Sequence, residues 1–318
     1  MPDAPRPVID AVVIGRNEGA RLMACLQSLI PEARRIVYVD SGSSDGSVAA
    51  ARAMGVDVIA LDLATAFTAA RARNAGLAAL NAPDYVQLVD GDCSIDPGWL
   101  AAAVAAFGQH PKAVVVCGRR RERFPEASVY NRLIDREWDT PSGSVAGCGG
   151  DALMRFTAVM GVGGYREDLI AGEEPELCLR LRAAGGEVWR IAAEMTLHDA
   201  AITQFGQWWR RTLRAGHAYA EGSALHGAGA ARHWVKETRR ALIWGALSPA
   251  GILVAIAINP VGGVLGLIYP AQIWRLARKG GWQWAFFTVL GKFAEAVGVL
   301  GFWWGRLRGK KPALIEYK

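Results

Sequence analysis

The stretch that most restricts this chain is Tyr85-Val86-Gln87-Leu88-Val89-Asp90-Gly91-Asp92. An apolar run closed by Pro83 before it and Gly91 after it reads as a buried strand. Carboxylates at the C-terminal end of such a strand face the crevice where open α/β sheets take ligands. Asp90 and Asp92 bring two hard oxygen donors together, and Gly91 lets the backbone approach closely. Such donors suit Mg2+ or Mn2+ carrying a nucleotide diphosphate. Asp-Gly is also a common turn dipeptide, so the reading depends on what surrounds it.

Around that strand, strand and helix patterns alternate. Residues 8–14 form an apolar, β-branched run followed by the loop Gly15-Arg16-Asn17-Glu18-Gly19. A helix over 21–29 places Leu22, Cys25, Leu26 and Leu29 on one face. A second strand over 36–39 leads into Asp40-Ser41-Gly42-Ser43-Ser44-Asp45-Gly46-Ser47, a segment rich in residues that turn the chain and expose backbone N–H groups. A helix from Ser47 should end at Gly55, a strand should cover 56–61, and a helix over 67–80 carries Arg71, Arg73 and Asn74. Past Asp92, Asp96 as N-cap and Pro97 at the first helical position predict another helix, and 113–117 a further strand. This order predicts an α/β fold: a mostly parallel sheet with helices on both faces.

From Gly118 the character changes. Arg119-Arg120-Arg121-Glu122-Arg123 reads equally as a solvated loop or as a contact to phosphate or acceptor. Residues 142–150 are small and glycine-rich, which suits close approach to a ligand. Pro175 marks a helix start, with Glu173 and Glu174 just outside it, where the helix dipole favours the ionised carboxylate.

The last hundred residues are apolar in blocks. Residues 241–258 and 261–274 lack charge and are separated by Asn259-Pro260, and 282–304 is interrupted only by Lys292 and Glu295, spaced to pair on a helix. Arg239, Arg240, Arg275, Arg278, Lys279, Arg306, Arg308, Lys310 and Lys311 flank these blocks, and each cluster prefers the cytoplasmic side. The expectation is a hairpin and an interfacial helix rather than three spans. The domains would be 1–220, catalytic, and 221–318, helical and membrane-associated. A net charge of +6 fits an anionic partner. The five cysteines show no Cys-x-x-Cys, so they read as reduced thiols. Residues 1–10 lack the apolar core of a signal peptide.

Four segments in order carry a resemblance: Val12-Val13-Ile14-Gly15-Arg16-Asn17-Glu18, Val39 to Ser47, Asp90-Gly91-Asp92, and Gly172-Glu173-Glu174-Pro175-Glu176-Leu177. Over roughly residues 8–200 the pattern resembles family 2 glycosyltransferases with the GT-A fold, which implies a mixed, mostly parallel sheet. The resemblance implies that Asn17 and Glu18 lie in the nucleotide-binding loop, that Asp40 contacts the base, and that Arg73 and Asn74 help hold the nucleotide. It makes Asp90 and Asp92 the metal and diphosphate site, Asp90 serving both. Glu174 stands where the family usually has the aspartate of a Glu-Asp pair, the general base, and Glu173 is the other candidate. Gly15 replaces a common proline. His198, in Thr196-Leu197-His198-Asp199, would complete the metal site as in some GT-A enzymes, although a lone histidine is more often structural.

The chemistry is consistent with the residues. A metal would stabilise a departing diphosphate, and a carboxylate would take the proton of an attacking hydroxyl. Gln207-Trp208-Trp209-Arg210-Arg211 resembles the Gln-x-x-Arg-Trp motif of processive polysaccharide synthases, with Arg211 in place of the tryptophan; it also reads as an amphipathic helix at a membrane surface. The expected activity is inverting, metal-dependent transfer from a nucleotide-sugar, a UDP-sugar first, to a lipid-linked or envelope glycan acceptor. The expected place is the cytoplasmic face of a bacterial inner membrane, and nucleic acid is not an expected partner. Two rivals stand beside it. A polyprenyl-phosphate acceptor would need no general base. A membrane-bound sugar-binding or scaffold protein would release no nucleotide.

Overall fold

The computed structural model describes residues 6–309 and Ile315. Residues 1–5 of the expected leaderless N-terminus, and the flanking Lys310 and Lys311, lie outside the described residues.

Strands β1 (Ile9–Gly15), β2 (Arg35–Asp40), β3 (Asp57–Ala60) and β4 (Tyr85–Asp90) alternate with helices α1 (Ala20–Leu29), α2 (Ser47–Ala53) and α3 (Ala69–Ala78). A helical return brings each strand back in the same direction, so β1 pairs in parallel with β2 and β4, and β2 with β3. The sheet continues through β5 (Cys93–Ile95), β6 (Ala113–Glu122), β7 (Gly143–Ser144), β8 (Ala152–Arg155) and β9 (Glu187–His198), in the order β3-β2-β1-β4-β8-β6-β9-β5 with β7 beside β9. β8 lies antiparallel between β4 and β6, β5 and β7 are antiparallel to β9, and β6 pairs in parallel with β9. The sheet is therefore mostly parallel, as the alternation predicts, and mixed, as the resemblance to the GT-A fold implies.

The core holds the inner strand residues, such as Val12, Val37, Tyr38, Leu88 and Val116, and the apolar helix faces, such as Leu22, Leu26 and Leu77. α3 packs tightly on β1 and β2 through Gly76, whose Cβ would stand 2.3 Å from Val12 Cγ1.

Three local expectations change. The helix expected to begin at Asp96 is α4 (Trp99–Gln109), with left-handed Gly98 (φ 88°) as its cap. Residues 93–95 are taken into β5, Asp96 N–H donates to Met195 O, and a turn uses the next residues before the helix can start. The basic run does not form a loop: β6 extends to Glu122, burying Arg120 and Glu122 and exposing Arg121, in the alternation of a pleated strand. Helix α7 is Glu173–Ala183, so Glu173 and Glu174 are its first residues rather than flanking ones. Pro175 is tolerated there because first-turn N–H groups have no intrahelical acceptors. α5 (Val129–Glu137) and α6 (Phe156–Gly161) complete the helices up to α7.

The described chain divides into two units: the residues up to Asp168 with Glu173–Thr203, and Leu169–Gly172 with the residues from Gln204 on. The second unit is helical. α8 (Phe205–His226) contains residue 220, the boundary expected from sequence. α9 (Val235–Leu242), a π-helical turn (Ile243–Leu247) and α10 (Ser248–Ile258) follow, then a 3-10 helix (Pro260–Leu267), α11 (Ile268–Gly280) and α12 (Trp282–Leu307). Two continuous helices, Val235–Ile258 (mean hydropathy 2.1) and Trp282–Leu307 (mean hydropathy 1.5), are long and apolar enough to cross a bilayer by length and composition. Lys292 and Glu295 of α12 pair at 2.6 Å, as their spacing predicts.

Candidate active site

The register of β1 assembles the site. Gly15 lies beside Asp40 of β2 and Ile14 beside Asp90 of β4, so both carboxylates reach the same C-terminal edge of the sheet.

At this edge two loops are tied together. Asn17, in the left-handed region (φ 57°), donates its N–H to Ser43 Oγ (2.9 Å) and accepts from Ser44 N–H on Oδ1 (2.8 Å). Asp40 Oδ2 accepts from Gly42 and Ser43 N–H, both at 2.9 Å, and its Oδ1 accepts from Tyr38 OH (2.8 Å). Burial acts to raise the Asp40 pKa, but the bonds from Ser43, Tyr38 and Gly42 prevail and hold it below the ordinary carboxylate value. Glu18 pairs with Arg21 at 2.7 Å, bracing the first loop.

Beside them, Arg73 is 2% exposed and joins three carboxylates. Its Nη2 meets Asp90 Oδ1 at 2.8 Å, and its Nη1 meets Glu173 Oε1 at 2.8 Å and Glu174 Oε1 at 2.9 Å. The Tyr165 ring lies 5.5 Å from the guanidinium. Asn74 faces elsewhere: its amide bonds both backbone groups of Tyr165 and the Glu167 carboxylate, fixing that loop. Arg120 approaches the cluster from β6, with Nη1 3.5 Å from Asp90 Oδ2 and 3.3 Å from Asp151 Oδ2. Asp151 accepts the Asp90 N–H (3.0 Å) and the Thr196 hydroxyl (2.8 Å). Burial pushes Asp90 upward and the two arginines outweigh it, so it lies below its usual range. Gly150 is required here, because a Cβ would stand 2.6 Å from Asp90 Oδ2 and 2.8 Å from Arg73 Nη2.

Glu174 differs from expectation. Its carboxyl is raised from 4.5 to about 7, first by burial and then by the charge of Glu173, against the pull of Arg73. Position at a helix N-terminus favours the anion, but exclusion from water costs more. A carboxyl poised near neutrality is better matched to accepting a proton than a fully ionised one.

The third group surrounds Asp92. His198, the last residue of β9, has Nε2 3.5 Å from Asp92 Oδ2 and Nδ1 3.0 Å from Glu122 Oε2. Glu122 is buried and also accepts from Ala200 N–H, at 3.1 and 3.2 Å. Asp92, Cys93 and His198 offer ligand atoms within 4.8 Å of one another, and so do Asp90, Cys93 and Asp151. Burial lifts the Cys93 thiol well above its ordinary value, and a soft sulfur suits Mg2+ or Mn2+ less than a carboxylate oxygen does. Asp90 already faces two arginines. That leaves Asp92 and His198 as the donors best placed for a divalent cation: one hard oxygen and one imidazole nitrogen, a set that accepts Mn2+. The arrangement fits the metal.

Sequence reasoning weighed the run that holds Arg120 and Glu122 as a loop or a ligand contact without assigning either residue, and it missed Asp151 and Tyr165. Alternation continued through 119–122 would have turned Arg120 and Glu122 inward. No local signal marks Asp151 or Tyr165, whose roles arise from long-range packing.

The sequence profile of Glycosyl transferase family 2 matches residues 10–156. A pre-mycofactocin glycosyltransferase of Mycobacterium tuberculosis is 30% identical over 233 residues, covering 69% of this chain and 48% of the relative. The succinoglycan biosynthesis protein ExoA of Rhizobium meliloti is 30% identical over 190 residues, covering 54% and 57%. The chain thus spans about half the length of the curated relatives it matches. Among solved structures, the mannosyltransferase PcManGT of Pyrobaculum calidifontis, in complex with GDP-Man and Mn2+, has the same fold. Its TM-score is 0.65 at 17% identity, covering 93% of this chain and 87% of that one. TarS 1-349 of S. aureus with UDP-GlcNAc matches at a TM-score of 0.51 and 12% identity, covering 95% and 92%.

Proposed function

We propose that this chain, whose residues 10–156 form a domain of Glycosyl transferase family 2 with the GT-A fold, performs an inverting, metal-dependent transfer from a nucleotide-sugar to a lipid-linked or cell-envelope glycan. The observation that carries this reading is that Asp92 and His198, 3.5 Å apart, follow Asp90, and that Arg73 joins Asp90 to Glu174, a carboxyl poised near neutrality. A UDP-sugar is the first donor to test, although one solved relative holds GDP-Man and another UDP-GlcNAc.

In this reading the loops joined through Asn17, Ser43 and Asp40 receive the nucleotide. Asp92 and His198 hold Mg2+ or Mn2+, which when bound supplies positive charge to the departing diphosphate. Glu174 accepts the proton of the acceptor hydroxyl. The acceptor oxygen bonds to the anomeric carbon while the carbon–oxygen bond to the diphosphate breaks, and attack from the face opposite the leaving group inverts that carbon. Arg73 pairs with Glu173, Glu174 and Asp90 and balances part of their charge. Asn74 positions the loop carrying Tyr165 rather than the nucleotide itself.

A membrane acceptor is supported by the second unit, whose apolar helix Val235–Ile258 is almost wholly exposed. Exposure of that much apolar surface requires a nonaqueous partner. The relatives carry unlike names, a pre-mycofactocin glycosyltransferase and a succinoglycan biosynthesis protein, so the acceptor is assigned only by class. We place the catalytic unit at the cytoplasmic face of a bacterial inner membrane. The test is nucleotide release by purified protein from a panel of nucleotide-sugars, with and without extracted bacterial lipids. Metal-dependent release that rises with lipid supports the proposal. No release from any donor rejects it in favour of a binding or scaffold role.

A further inference from the structure

The second unit carries a hairpin whose depth can be worked out. Between Arg240 and Arg275 the chain has no charged residue. It descends through the end of the π-helical turn and α10 to Ile258, turns at Asn259-Pro260, and returns as the 3-10 helix Pro260–Leu267. The arms touch closely: a Cβ on Gly262 would stand 2.5 Å from the Ala255 carbonyl. They are joined at the other end, where Tyr269 OH donates to Trp244 O (2.7 Å) and the two rings meet edge to face.

That junction sets the length of the hairpin. At 1.5 Å per residue, the descent from Trp244 to Ile258 covers about 21 Å. At about 2.0 Å per residue, the eight-residue 3-10 helix returns about 16 Å. A bilayer hydrocarbon core is about 30 Å thick, so neither arm crosses it from the Trp244–Tyr269 level. The turn itself is built for a dry environment. Asn259 N–H donates to Ala255 O (2.9 Å), Val261 N–H to Asn259 Oδ1 (3.0 Å) and Gly262 N–H to Asn259 O (2.7 Å), and Pro260 has no N–H. Each of these backbone donors of the turn is thus bonded within the hairpin, as lipid demands and water does not. The side chains flanking Asn259-Pro260 are apolar and outward: Ile258 is 81% exposed and Val261 70%. At the other end Arg239 and Arg240 precede the hairpin, and Arg275, Arg278 and Lys279 follow it, with Arg278 over the Trp274 ring at 5.1 Å. Cations and tryptophans together suit an anionic headgroup layer.

We propose that residues 244–269 form a re-entrant hairpin that enters the lipid from one face and returns to it, with its tip at Asn259-Pro260 inside the hydrocarbon core. The inference rests on the membrane reading above and adds depth and sidedness to it. Both basic ends lie on the entry face, so the hairpin is an anchor entered from one side, its tip short of the far surface, and it does not carry the chain across.

The test places a nitroxide on full-length Val261→Cys and, separately, Ile258→Cys, each reconstituted in phosphatidylethanolamine–phosphatidylglycerol vesicles. The unsubstituted protein gives the background, and Lys279→Cys is the headgroup control. Collision with dissolved oxygen should be enhanced at 258 and 261, and collision with a water-soluble nickel chelate lost, while 279 remains open to nickel. Nickel access at both tip sites overturns the proposal, whether the tip has emerged on the far side or lies on the surface. Exclusion of both probes also overturns it, because protein and not lipid would then cover the tip. Carbonate washing of the vesicles separates the two claims: release of the protein refutes membrane insertion itself, whereas a retained protein with a nickel-accessible tip refutes only the depth.

Discussion

Replacing Glu174 with glutamine should stabilise the protein above neutral pH while removing activity. The carboxyl is raised from 4.5 to about 7 by burial and by Glu173, so the folded state binds its proton more tightly than the unfolded chain does. A carboxyl raised in this way makes stability fall as pH rises through the window from about 4.5 to about 7, and the loss is complete above it. The interval between 4.5 and about 7, at about 1.4 kcal/mol per pH unit, corresponds to roughly 3 kcal/mol. The side chain is only 13% exposed, so solvent screening takes little from that figure. Glutamine keeps the shape and cannot ionise, and Arg73 keeps Glu173 and Asp90 as partners. At roughly 2–4 °C per kcal/mol, Tm of the variant should exceed that of the parent by several degrees at pH 8, with the gap closing toward pH 5. Thermal scans from pH 5 to 8.5 measure this. A variant no more stable at pH 8, or an offset independent of pH, refutes the burial argument. In the same variant kcat should fall by about 10²–10⁴-fold, and the acid limb of kcat/KM near pH 7 should disappear. A dead Glu173→Gln beside a normal Glu174→Gln reverses the assignment. Normal turnover in both moves the account to an acceptor already anionic, a polyprenyl phosphate.

Three further outcomes follow from the geometry. Glu122→Gln should keep the Ala200 N–H bond but lose the charge facing His198, weakening Mn2+ affinity by about 10–100-fold in a titration read by electron paramagnetic resonance; unchanged affinity would show that Glu122 does not orient the imidazole. Gly150→Ala should separate Asp90 from Arg73 and lower Tm, because its Cβ would fall within 3 Å of both side chains; an unchanged Tm would show that the segment yields freely. Full-length protein should stay with the membrane through salt and carbonate washing, and release by salt alone would indicate electrostatic attachment only.

The sheet edge was legible in sequence because its signals are local. Asp40, Asp90 and Asp92 end apolar runs, and a strand that ends in carboxylates must deliver them to one side of a parallel sheet. The balance of charge inside the site was not legible. Arg73 sits in a helix pattern with nothing to show that it would meet Asp90, Glu173 and Glu174, residues 17 to about a hundred positions away. The Glu174 shift depends on that meeting and on burial, so a rule based on its helix-terminal position gave the opposite sign. The basic run stayed open between a loop and a ligand contact because its charge density fits both, while alternation with Arg120 and Glu122 inward is a strand property that needs β9 as a partner. The start of α7 moved two residues because a proline limits only the residues that need its N–H.

The central claim is that Asp92, with His198, holds the cation on which transfer from a nucleotide-sugar depends. The most direct measurement is nucleotide release from the accepted donor by parent, Asp92→Asn and EDTA-treated protein, each with a Mn2+ titration. The account predicts release by the parent that EDTA abolishes and Mn2+ restores, and no restoration in Asp92→Asn at concentrations that saturate the parent. Release that survives complete metal removal, or an Asp92→Asn variant restored like the parent, would contradict it and move the leaving diphosphate to the buried arginines, Arg73 and Arg120.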